Sequence, residues 1–247
     1  MKKLLRKTVK RAFNAVGLDL VRKGAGRDGM ERLRQVQRLG LSPRVIFDGG
    51  AFHGLWSQEV AAIFPGARIV IAEPNPALLD TIRRNVGSID PAPQILAVAV
   101  GGEAGRANFN IWREETNDRG ASLFGNVSGK AAKVVEVEVD TLDNIARRLS
   151  LWPNLVKLDL QGGELDALTG GAEVLRRAEF VFVEFGCLEA YVGRATPREV
   201  IDLMYDSGFC LYDITDLNDR PYDGALTGGD FSFVKTTSPL RAHKGWD

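Results

Sequence analysis

Val45-Ile46-Phe47-Asp48-Gly49-Gly50-Ala51-Phe52-His53-Gly54 is the stretch that decides the fold. Three apolar residues suited to a strand run into a glycine-rich corner, and a helical pattern begins at about Leu55. Glycines at a strand-to-helix corner let the backbone approach a ligand closely, and the free N–H groups of the helix then face it. A tight turn without a ligand would look the same in isolation, so the flanking sequence has to decide.

From residue 44 onward, short apolar runs alternate with helical segments, the pattern of βαβ units and a mostly parallel sheet. Strands are expected at 44–47, 68–72, 94–100, 155–160, 180–185, 209–214 and 231–235. Two stretches break the alternation. Residues 107–112 and 133–139 each alternate at period two, which predicts a β hairpin inserted beside the sheet. Residues 215–230 are polar and rich in Gly and Asp with no helical pattern, so the last strand should run antiparallel to its neighbour. The expected fold is therefore α/β, a doubly wound, seven-stranded Rossmann-like sheet that is mostly parallel with its last strand antiparallel, plus the inserted β hairpin.

With 247 residues the chain is at the upper end of one compact domain, expected at 44–247 and preceded by a basic helical arm at 1–43. In that arm Lys2, Lys3, Arg6, Lys7, Lys10, Arg11, Arg22 and Lys23 accompany Leu5, Val9, Ala12 and Val16, which share one helical face. Such a helix packs on the domain, or it makes a peripheral contact with anionic lipid. A Gly-rich break at 24–29 precedes a helix over 30–39 with Leu33, Val36 and Leu39 facing inward. Basic and acidic residues balance at 32 each, so no overall field draws the chain to nucleic acid, which is not expected as a partner. Cys187 and Cys210 lie in apolar stretches and read as reduced core thiols. With no apolar run of about 18 residues and no clean signal peptide, a cytoplasmic protein is expected, held at the inner face of the membrane if the arm lies on lipid.

The second strand ends Ile71-Ala72-Glu73-Pro74-Asn75-Pro76, which puts a carboxylate on a rigid turn roughly 20 residues beyond the glycines. An acid there can accept hydrogen bonds from both ribose hydroxyls of a nucleoside cofactor. Positions 49, 51 and 54 read Gly, Ala, Gly, so the strict dinucleotide pattern G-x-G-x-x-G fails at its second glycine. A nicotinamide-dependent oxidoreductase stays open as the other enzyme class, and a non-catalytic cofactor-binding scaffold as the non-enzyme reading.

Four blocks carry a family resemblance: Phe47-Asp48-Gly49-Gly50-Ala51 with Gly54; Glu73-Pro74-Asn75-Pro76; Thr141-Leu142-Asp143; and Leu155-Val156-Lys157-Leu158-Asp159-Leu160-Gln161-Gly162-Gly163-Glu164. The run from Val45 to Lys235 resembles the FkbM-type methyltransferases, O-methyltransferases of small molecules and polysaccharides, with the last block the most specific. Where that family usually has Asn after the Gly-Ala, this chain has Phe52 and then His53. Phe52 cannot donate the hydrogen bonds of an Asn but could pack on the cofactor's carbon skeleton. His53 reads as a capping or surface residue.

The resemblance implies S-adenosylmethionine as cofactor, bound by Asp48, Gly50, Ala51, Phe52, Gly54, Glu73, Asn75 and Ala99. It implies that Asp159 lies near the transferred methyl group, with Glu164 and Glu184 as further catalytic candidates. For Glu164 a structural place on the first turn of a helix is an equal reading. The polar loop 113–129 is expected to select the acceptor through Asn117 and Ser122, the acceptor being a hydroxyl of a sugar, glycan or secondary metabolite. Three carboxylates at one sheet edge could hold a metal, but no His-rich pattern accompanies them, and no metal is expected.

Overall fold

The computed structural model describes residues 28–113, 116, 118–243 and 245. The basic segment 1–23 and Asn117 lie outside the described residues. The first described helix, α1 (Gly29–Arg38), is capped by Asp28, whose side chain accepts from the Glu31 N–H. Leu33 and Val36 of α1 are fully buried, whereas Leu39, expected inward, is 57% exposed. Leu39 is the residue after the last helical turn, so the 3.6-residue period no longer governs its side chain.

The seven-stranded sheet is built from β1 (Val45–Gly49), β2 (Arg68–Ala72), β3 (Gln94–Leu96), β7 (Leu155–Leu158), β8 (Phe180–Gly186), β9 (Phe209–Asp219) and β10 (Leu226–Lys235), in the order β3-β2-β1-β7-β8-β10-β9. Neighbours from β3 to β8 are parallel, and β10 runs antiparallel to both β8 and β9. The chain thus adds strands on one side of β1 and then crosses to β7 on the other side. The β1–β7 border is a topological switch point, the crevice where α/β sheets bind ligands at their carboxyl ends.

Alternation along the strands sorts the core into two layers. Phe47, Val70, Ala72, Val156, Leu158, Val181 and Val183 face one side, packed against α4 (Leu142–Leu149), α5 (Glu164–Thr169), α6 (Ala172–Arg177) and α7 (Pro197–Asp206). Ile46, Ile69, Ile71, Leu155, Phe180 and Phe182 face the other, against α1, α2 (Leu55–Ile63) and α3 (Leu79–Val86). Strands buried on both faces by crossover helices explain the near-continuous apolar runs of the sequence.

The expected strand 94–100 divides. Its first part is β3 at the sheet edge; its end is β4 (Ala99–Val100), paired parallel with β6 (Lys133–Asp140) in a separate sheet of order β4-β6-β5 with β5 (Gly105–Ile111). Val98 and Val100 stay with the main core while Ala99 joins Phe109, Ile111, Val137 and Val139 in a small core of their own. The hairpin forms as expected, antiparallel from Gly105↔Val139 to Ile111↔Lys133.

At the other end the polar connection proves to be strand as well, since β9 runs to Asp219 and β10 starts at Leu226. Residues 216–224 are exposed, so their polarity reflects solvent on a projecting hairpin and not loss of strand structure. Cys210 is buried, but Cys187 is exposed in the turn after β8, which corrects its placement in the core. Among the described residues no helix is long and apolar enough to cross a membrane.

Candidate active site

At the carboxyl end of the sheet, over the β1–β7 border, lies a cavity of about 860 Å³. Gly50, Ala51, Phe52, Glu73, Asn75, Ala99, Asp159 and Glu184, all expected at the site, line it together. The corner after β1 is drawn tight against the end of β7. Gly50 has φ +71, and a Cβ there would sit 1.9 Å from the Asp159 carbonyl oxygen. Gly54, with φ +74, caps α2 and packs on Ile82 and Val86 of α3; it shapes the turn without lining the cavity.

Glu73 is 5% exposed at the end of β2. One of its carboxylate oxygens accepts from the Phe52 N–H at 2.8 Å and the other from the Asn75 N–H at 2.9 Å. Burial pushes this carboxyl up to about 7, despite both backbone donors and the nearby Lys157. Asn75 in turn caps the short 3-10 helix Pro76–Leu78 by accepting from the Ala77 N–H. Phe52 adopts φ +51 and stacks on His53 with ring centroids 3.8 Å apart, while His53 Nε2 lies 2.7 Å from the Thr116 carbonyl oxygen.

Below this floor Asp48, expected at the cofactor, forms a charge pair with Lys157, to which sequence reading assigned no role. Asp48 and Lys157 are opposite each other in the β1–β7 register, with Lys157 Nζ 3.1 Å from Asp48 and 3.6 Å from Asp159. The same ammonium donates to the Gly50 carbonyl at 2.8 Å. Burial would lower its pKa, but the Asp48 and Asp159 carboxylates outweigh that and hold it above the ordinary lysine range. Asp48, which also accepts from Ser57 Oγ at 2.7 Å, is fully buried beneath the turn and is not among the cavity's lining residues, contrary to its expected contact with the cofactor. The signal was a lysine inside an otherwise apolar central strand.

At the far wall, the ends of β7 and β8 bring Asp159 and Glu184 together. Gln161 Nε2 donates to Asp159 Oδ1 at 2.7 Å and to Glu184 Oε2 at 3.1 Å, and Arg194 Nη2 donates to the same Glu184 oxygen at 3.0 Å. Burial first, then Asp159 and Glu164, push Glu184 up to about 8. Asp230 of β10 also lines the cavity and is pushed up to about 7, mainly by burial.

Glu164 does not line the cavity. Its buried carboxylate accepts from the Leu160 and Gly162 N–H groups and tightens the turn after β7, the structural alternative at the start of α5. Ser122, expected to touch the acceptor, is likewise buried, donating from Oγ to the Gln161 carbonyl at 2.7 Å and accepting from the Phe124 N–H. It joins the hairpin to the β7 turn and leaves Gly120, Ala121 and Leu123 to face the cavity.

These residues fit an adenosyl cofactor. The volume lies within the range of small-molecule sites, roughly 300–1,000 Å³. Each Glu73 oxygen accepts one backbone hydrogen and keeps a lone pair for a ribose hydroxyl. Among the described residues no group of three or more His, Cys, Asp and Glu is placed to hold a metal ion.

Comparison with known proteins agrees. The family model for the methyltransferase FkbM domain matches residues 48–211. The 2-O-methyltransferase NoeI of Sinorhizobium fredii is 26% identical over 172 residues, covering 65% of this chain and 70% of that protein. Methyltransferase sdnD of Sordaria araneosa is 24% identical over 195 residues, covering 66% of this chain and 73% of that one. The crystal structure of methyltransferase FkbM from Methylobacillus flagellatus superposes with a TM-score of 0.47 at 16% identity over 77% of this chain, which spans only 43% of that larger protein. The chain belongs to the FkbM methyltransferase family and is an S-adenosylmethionine-dependent methyltransferase.

Proposed function

We propose that this methyltransferase transfers its methyl group to a hydroxyl of a sugar, glycan or secondary metabolite, with Asp159 receiving the hydroxyl proton. The observation that carries this reading is the placement of Glu73 and Asp159 in one cavity, at the carboxyl ends of β2 and β7 on either side of β1. In this assignment Glu73 accepts from the ribose hydroxyls, the Gly50–Phe52 corner supports the rest of the nucleoside and Ala99 borders the base. The 2-O-methyltransferase named among the relatives supports oxygen as the acceptor atom.

When bound, S-adenosylmethionine supplies a methyl group on a positively charged sulfur. The chain then has to align an oxygen with that methyl and take up its proton. Asp159, whose side chain is 40% exposed, faces the cavity and can accept from an entering hydroxyl. Glu184, held up near 8 by burial, carries a proton at neutral pH and can donate to a second oxygen of the acceptor. A polyhydroxylated acceptor suits this pairing of one acceptor and one donor. Glu164 and Ser122 serve as supports of the β7 turn, not as reacting groups.

A panel of glycans, free sugars and hydroxylated metabolites incubated with radiolabelled methyl donor tests the reading. Transfer to an oxygen is expected, with Asp159→Asn lowering kcat by about 100-fold while leaving cofactor affinity within a few-fold. Transfer only to nitrogen or carbon acceptors, or an undiminished Asp159→Asn enzyme, would overturn it.

A further inference from the structure

Gln161 sits in the turn after β7 with φ +56, in the left-handed region. Its backbone is pinned on every side. Glu164 accepts from the N–H groups of Leu160 and Gly162, and the Gln161 carbonyl accepts from Ser122 Oγ. The backbone position from which its side chain starts is therefore fixed by the fold.

That side chain commits both of its N–H donors and one carbonyl lone pair to three neighbours. A primary amide has two N–H hydrogens and one carbonyl. Here the hydrogens go to Asp159 and Glu184, and Oε1 accepts from the Tyr191 hydroxyl at 2.7 Å. Turned end for end, the amide would set its oxygen, an acceptor, against the Asp159 and Glu184 oxygens and leave Asp159 without the hydrogen it now accepts. Tyr191 thus aims the amide, and the amide aims the carboxylates.

Resting on the reading of this cavity as the methyl-transfer site, we propose that Gln161 is a positioning residue that holds Asp159 toward the acceptor and ties it to Glu184. The other ionisable groups around the pair cannot substitute for it. Lys157 reaches Asp159 from β7, and Arg194 reaches Glu184 and, at 3.9 Å, Glu164; neither touches both members of the pair. Asp230 from β10 and Glu164 from α5 add negative charge, which favours protonation of the cluster. Gln161 links the two carboxylates and adds no charge of its own.

The test needs no identified acceptor. The full chain is labelled with carbon-13 at its Asp and Glu carboxyls and titrated by NMR, with Asp159→Asn and Glu184→Gln used to assign the two resonances. Removing the amide in Gln161→Met takes a donor from the charged form of Glu184, so the Glu184 midpoint, already raised by burial, is expected to rise by about one further pH unit relative to the unsubstituted protein. Tyr191→Phe leaves Gln161 in place but unaimed and is expected to shift the same midpoint in the same direction by less. It keeps the inference testable if Gln161→Met does not fold.

Midpoints that stay put in the folded variants would overturn the positioning role. Calorimetry with S-adenosylhomocysteine on the unsubstituted protein separates the two claims. Absence of binding would overturn the methyl-transfer reading and leave the titration result standing. Normal binding with unmoved midpoints would overturn the role of Gln161 alone.

Discussion

Glu73→Ala is expected to weaken S-adenosylhomocysteine binding by about 1,000-fold, the loss of two hydrogen bonds to a charged acceptor at ~2 kcal/mol each. The substitution also strips the Phe52 and Asn75 N–H groups of their partner, so part of the loss comes from a loosened Gly50–Phe52 corner. Glu73→Gln keeps the shape and one acceptor and is expected to cost about tenfold. The pH dependence gives an independent check. Burial raises Glu73 to about 7 in the free protein, and ribose hydroxyls donate better to the ionised form. Binding therefore releases a proton below that value: affinity climbs as pH rises toward 7 and levels off above it, by up to about tenfold per unit. The Glu73→Gln protein has no carboxyl to titrate and should give a flat profile. Calorimetric affinities for Glu73→Ala within threefold of the unsubstituted protein would remove Glu73 from the cofactor site.

Gly50→Ala should damage both stability and binding. The new methyl group meets the Asp159 carbonyl oxygen, and backbone cannot step aside as a flexible side chain would. Gly50 is stitched on both sides, its N–H donating to the Ala72 carbonyl and its own carbonyl accepting from Lys157. Relief requires β1 and β7 to part at the switch point. The expected cost is about 3–4 kcal/mol, which lowers Tm by on the order of 10 °C, with S-adenosylhomocysteine binding lost. Gly66→Ala is the matched control, because Gly66 also has positive φ (+84) but open space where a Cβ would go. It should show the conformational cost alone, about 1 kcal/mol. Thermal melts in which the two alanine variants differ by less than about 3 °C would show that the contact with Asp159 is not the constraint described here.

The parts of this protein that sequence reveals are those governed by local periodicity. The two period-two runs around residues 107–112 and 133–139 became an antiparallel hairpin because alternation has few other solutions. The glycine corner and the acid after the second strand were legible because chain geometry puts successive strand ends at one edge. The single apolar run 94–100 concealed a transfer between two sheets, since Val98, Ala99 and Val100 alternate correctly for both cores. Ser122 reads as a site residue because it is polar and lies in the loop 113–129, and Glu164 because it closes the fourth motif block, with a structural place as its equal reading. Burial turned both inward, and nothing in a one-dimensional pattern reports which side of a turn a polar side chain takes.

Conversely, Lys157 gains its meaning only from Asp48 across the β1–β7 register, Arg194 reaches Glu184 from the loop after β8, and Tyr191 of the same loop reaches the Gln161 amide 30 residues back along the chain. Partners of that kind are set by tertiary contacts and have no local signature. The family resemblance pointed to the right motif blocks, yet it could not tell a residue that faces the cavity from one that supports the wall.

Glu73 and Asp159 line one cavity, and the function proposed above has the nucleoside held at Glu73 with its reacting end toward Asp159. A crystal structure of the protein with S-adenosylhomocysteine measures it directly. Both ribose hydroxyls are expected within hydrogen-bonding distance of the Glu73 carboxylate, with the base beside Ala99 and the sulfur directed toward Asp159. Ribose bound away from Glu73, or a sulfur facing away from the β7 end, would contradict it.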